Sequence, residues 1–103
     1  ALLGWSSFII GGSHMKIACD TGISGKAVKA LEDLGHEVVF WAREEPDAWW
    51  FKAAIDNGAE LFITHDWDIV TMAYDADKLC IVLGQGLRGQ KQVEVITRKL
   101  ARL

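Results

Sequence analysis

The 103-residue chain has little of several things. It has one proline, Pro46, and no run approaching the roughly 18 apolar residues that span a bilayer. It has two cysteines, Cys19 and Cys80, far apart and in no Cys-x-x-Cys or Cys/His ligand spacing, which argues against a zinc site or a disulfide framework. Both fall in apolar, strand-like runs, so they read as reduced structural thiols of a cytoplasmic protein. Excess positive charge is also missing. At a net charge of −3, a nucleic-acid partner needs a local basic patch or a metal to meet its phosphates. No repeat, linker or low-complexity tract divides the chain.

What is present suits one small soluble domain, with 50% hydrophobic and 24% charged residues. Residues 12–15, GSHM, resemble the scar of a cloning vector, so 1–14 are set aside as a tag remnant and the domain is 15–103. The apolar, β-prone run from Trp5 to Ile10 is expected to dock on an exposed edge or groove.

From Met15 the pattern alternates. Met15 to Cys19 is a short apolar run, a first strand. Thr21 to Leu34 carries Ile23, Ala27, Val28, Ala30 and Leu31 at helical spacing, with Gly35 to end the helix. Glu37 to Trp41, EVVFW, is a second strand. Pro46 fits the first turn of a helix that Gly58 closes. Leu61 to Thr64 is a third strand, Asp68 to Tyr74 a short helix, and Leu79 to Leu83 a buried fourth strand. After the glycine-rich stretch 84–90, GQGLRGQ, the residues Val93, Ile96, Leu100 and Leu103 mark one face of a final helix. Strands alternating with helices give an α/β three-layer sandwich with a mainly parallel four-stranded sheet.

Ligands of such sheets bind beyond the carboxyl ends of the strands, where strand order reverses. Two strands end in acid: KIACD in Asp20, and FITHD in Asp66, with Asp68 just beyond. Strand order 2-1-3-4 would bring Asp20 and Asp66 together. Clustered carboxylates repel, and Mg²⁺ or Mn²⁺ would relieve them and activate water at a phosphodiester. The other reading makes each Asp a helix cap, since Asp20, Asp47 and Asp66 all precede or open predicted helices. Glu44 and Glu45 are alternatives to Asp47.

The order of these motifs resembles the small PIN-like domains, ribonucleases related to the toxins of toxin–antitoxin systems. The likeness runs over nearly all of 15–103. It rests on KIACD, on VKALEDLGHEVVF at 28–40, and on PDAWWFKAAIDNGAELFITHDWD at 46–68. The resemblance implies a metal-dependent endoribonuclease with Asp20, Asp47, Asp66 and Asp68 as metal ligands, of which Asp20, Asp66 and Asp68 are catalytic. It implies that Thr64 aligns the cluster, and that RNA and an antitoxin are partners. Thr21 and Gly22 stand where that family has a further acid and an Asn, so a catalytically weak module that binds protein or itself is the alternative.

Among the remaining residues, His65 sits beside the acids and, with Thr64, Arg43 and Arg88, is a candidate for substrate contact; Lys26 and Lys91 are further basic candidates. His36 reads as a turn residue. Trp49, Trp50 and Phe51 are consecutive on a helix, so at least one lies near the surface, where it would serve stacking or a homodimer interface. Trp67 would wall the site. The GxG at 84–86 follows the last strand and lacks the dinucleotide fingerprint. A phosphoacceptor receiver-like domain is disfavoured, because no lysine follows the fourth strand within LGQG.

Overall fold

The computed structural model describes residues 14–103, and the expectations for residues 1–13 lie outside them. Among the described residues four strands and four helices alternate: β1 (Lys16–Cys19), α1 (Gly25–Asp33), β2 (Glu37–Trp41), α2 (Asp47–Asp56), β3 (Leu61–Thr64), α3 (Trp67–Asp75), β4 (Leu79–Val82) and α4 (Gly89–Leu100). The strands form one all-parallel sheet in the order β2-β1-β3-β4. The strand order expected from the two acid-ended strands is the one observed.

Alternating side chains of the central strands fill two cores, because a strand points successive residues to opposite faces. Ile17 and Cys19 of β1 and Leu61 and Ile63 of β3 pack against Ala27 and Leu31 of α1 and Ile96 of α4. Ala18 and Phe62 face the other way, against Trp50, Phe51 and Ala54 of α2 and Ile69 and Ala73 of α3. Phe51 stacks on Phe62 at 4.4 Å between ring centroids, the closest aromatic pair recorded among the described residues. Of the WWF triplet, Trp50 and Phe51 are buried and Trp49 is 57% exposed, as a 3.6-residue period requires.

Three local expectations change. The first helix starts at Gly25, not Thr21: Ser24 caps it by accepting from Ala27 N–H at 3.2 Å, and residues 21–23 form a turn whose Ile23 is nevertheless buried. That buried Ile23 mimics helical periodicity. Pro46 is the N-cap of α2 rather than a residue of its first turn. The apolar run LCIV forms an edge strand, so Leu79 is 45% exposed and only Ile81 is buried. His36 is buried and accepts from Met15 N–H at 3.1 Å, a structural turn contact as expected. No helix of the described residues is long and apolar enough to cross a membrane.

Candidate metal centre

The order reversal lies between β1 and β3, whose carboxyl ends stand side by side. Asp20 follows β1 and continues its ladder, donating from N–H to Ile63 O at 2.9 Å. Thr64, the last residue of β3, is fully buried. Its hydroxyl donates to Asp20 Oδ2 at 2.5 Å and accepts from Asp66 N–H at 2.9 Å. One β-branched side chain thus fixes two of the acids. Asp66 is the N-cap of α3, its Oδ1 accepting from Asp68 N–H at 2.9 Å. Asp47 opens α2 after Pro46, and its Oδ1 accepts from Trp50 Nε1–H at 3.2 Å.

These anchors converge three acids. Asp47, Asp66 and Asp68 each offer a carboxylate oxygen within 4.8 Å of the others, Asp68 exposed and the other two half-buried. The crowding acts on Asp47, whose carboxyl is raised above the ordinary range. Burial is the main cause, with the charges of Asp66, Asp20 and Asp68 adding to it and the Trp50 N–H opposing it. An oxygen-only donor set is what hard divalent cations take, so this triad could hold a metal ion.

Asp20 is not one of the three. Both its oxygens are engaged, by the Thr64 hydroxyl and by Thr21 N–H at 2.6 Å, although its charge reaches Asp47. For Asp66 the cap and ligand readings coexist, since capping occupies one oxygen. Asp20 caps no helix, and Asp47 makes no backbone cap bond. Glu45 is engaged elsewhere: its Oε1 accepts from Arg43 N–H at 2.7 Å.

The other candidates divide around this centre. His65, between Thr64 and Asp66, turns away from the triad. Its Nδ1 pairs with Gly84 O at 3.1 Å, which requires the proton on Nδ1, and its ring lies against Gly22, where an added Cβ would come within 2.8 Å of Cδ2. Gly22 therefore makes room for His65. Arg43 lies on the β2 side, its guanidinium 5.5 Å from the centre of the Trp41 ring and its carbonyl accepting from Thr21 Oγ1–H at 2.6 Å. Arg88 lines a cleft of about 530 Å³ whose walls also include Asp20, Gly22, His65, Gln85 and Gln92. No family model, no curated protein and no solved structure matches the chain.

Sequence reasoning missed Gln92. It is 2% exposed and bridges three segments: its Nε2 donates to Gly22 O at 2.8 Å and Leu87 O at 3.0 Å, and its Oε1 accepts from Ser24 N–H at 2.8 Å. The signal available was its spacing: Gln92 lies four residues before Ile96, on the inward face of α4, where a polar residue needs partners.

Proposed function

We propose that the chain is a metal-dependent endoribonuclease of PIN-like type, hydrolysing RNA phosphodiesters with Mg²⁺ or Mn²⁺. The observation that carries this reading is the convergence of Asp47, Asp66 and Asp68, with Asp20 alongside, at the topological switch point. Asp47, Asp66 and Asp68 would hold the ion. Asp20, locked by Thr64, holds negative charge beside them and orients water. A bound divalent cation supplies a more acidic water and neutralises charge on the phosphodiester. Arg43, beside Trp41, and Arg88, in the adjoining cleft, meet flanking phosphates. The buried free thiol of Cys19, pushed up to about 12 by burial, suits a reducing cytoplasm. A toxin with an antitoxin partner is the biological role that goes with this activity.

The test is Asp66→Asn. Asn caps a helix as well as Asp does, so α3 and the fold should persist. Metal-dependent RNA cleavage should fall by at least roughly 10²-fold, on the scale of losing a main electrostatic contributor. Full activity of the variant in a nuclease-free preparation rejects the assignment.

A second reading, a catalytically weak module that binds protein or itself, is favoured by two exposed indoles. Trp49 is 57% and Trp67 is 69% exposed, and large exposed aromatics are enriched at interfaces. A dimer or partner complex lost on Trp49→Ala, in a chain whose melting temperature ignores Mn²⁺, would establish that reading.

A further inference from the structure

A cleft beside the acids is lined by Asp20 but by none of the three triad residues. It lies between the turn after β1 and the glycine-rich loop 84–90, and its volume of about 530 Å³ is in the range of small-ligand sites, roughly 300–1,000 Å³. Its walls are mixed, with Arg88 as their one cationic side chain, Leu87 apolar and Asp20 acidic. Arg88 is exposed and makes no ion pair among the described residues, whereas nearby Lys91 is close to Glu94. Arg88 occupies the N-cap position of α4 without a side-chain cap bond, so the leading N–H groups of that helix remain without one. Gly84, Gly86 and Gly89 have open space where a Cβ would stand, which lets a ligand approach the backbone closely.

Two further features narrow the ligand. The imidazole of His65 is a fixed plate, pinned through Nδ1 to Gly84 O and against Gly22, and Leu87 adds an apolar wall. Asp20 lines the cleft and is joined through the Thr64 hydroxyl to Asp66 of the triad, so the cleft adjoins the metal centre on its Asp20 side. A cation beside a helix N-terminus, a flat ring and an apolar wall, with Asp20 at one side, match one nucleotide.

We propose that this cleft is a nucleotide subsite. On the nuclease reading above, on which this inference rests, it takes the nucleotide adjoining the scissile phosphate. The outer phosphate of that nucleotide meets Arg88 and the N–H groups at the start of α4, and its base lies against His65 and Leu87. Arg88 is then a positioning residue for the strand, not a metal ligand.

The experiment titrates ¹⁵N-labelled chain with 5′-AMP in EDTA, following backbone amide shifts. Saturating shifts at Gly86, Arg88 and Gly89, weakened about tenfold in affinity by Arg88→Ala and unchanged by Lys29→Ala, whose side chain is exposed and paired with Asp33, support the subsite. In Mn²⁺-dependent RNA cleavage, Arg88→Ala should raise KM about tenfold with little change in kcat. Arg88 is exposed, so the variant should fold. Absence of shifts in the cleft, or shifts that Arg88→Ala leaves undiminished, overturns the subsite even if the wild-type chain cleaves RNA. Nucleotide binding in the cleft by a chain that cleaves no RNA supports the subsite and overturns the nuclease reading instead.

Discussion

Asp47 bears the electrostatic strain of the site. Burial and three neighbouring carboxylates raise its pKa, so the folded chain holds that proton more tightly than the unfolded chain does. By linkage, stability therefore falls as pH rises from the ordinary aspartate range through the raised value, and the cost persists at neutral pH. Asp47→Asn removes the charge and keeps an oxygen for the Trp50 N–H. The metal-free variant should be more stable at pH 7, by on the order of 0.5 kcal/mol, or about 2–4 °C in melting temperature. The same variant should lose most of its melting response to Mn²⁺. Thermal melts with and without the ion check both outcomes. Gly22 is a second sensitive position. Gly22→Ala forces a Cβ into the His65 ring and should destabilise by about 1–3 kcal/mol, and His65→Ala should restore much of the loss in a double-mutant cycle. At this scale Asp66, Asp68 and Thr64 were legible in the sequence, because their relations span two to four residues. The side to which His65 turns was not, since it depends on Gly84 and Gln92, 19 and 27 residues away.

The elements followed from periodicity where one face is buried and misled where it is not. Helices α2 and α4 sit within a few residues of their expected spans, because their inward positions recur at helical spacing. The start of α1 was misplaced by buried Ile23 in the preceding turn, and β4 was expected to be buried throughout because an apolar run does not reveal how much of a strand is covered. Gln92 joins α4 to the turn after β1 and to the loop 84–90, so it is a cross-element tie that no local pattern announces. Gln92→Leu keeps the bulk but leaves Gly22 O, Leu87 O and Ser24 N–H without these partners. The expected cost is at least about 1–3 kcal/mol, the usual penalty for even one orphaned buried group, and the amides of 84–90 should exchange faster with solvent. Urea melts combined with hydrogen exchange check this. Unchanged protection of the loop would mean that other contacts hold it.

At the scale of the molecule, the all-parallel order β2-β1-β3-β4 turns acids distant in sequence into neighbours. Asp47 comes from an α2 terminus and Asp66 and Asp68 from the start of α3, on the same side of the sheet as the Trp50–Phe62 core. The observed strand order is the one that follows when the two acid-ended strands are taken as neighbours. The membership of the triad was less legible in the sequence, because Asp20 spends both its oxygens on Thr64 and Thr21. If the triad holds a cation, the metal-free fold contains a repulsion that binding relieves. At a hundredfold excess over Kd, an ion that binds only the folded chain adds about 2.7 kcal/mol of stability, roughly 10 °C or more in melting temperature. The most direct measurement is calorimetric titration of Mn²⁺ into the wild-type chain and into Asp66→Asn. The predicted result is one ion per wild-type chain and greatly weakened binding in a variant that still melts cooperatively. No binding by the wild-type chain at millimolar Mn²⁺, or equal binding by both, would contradict a shared carboxylate site.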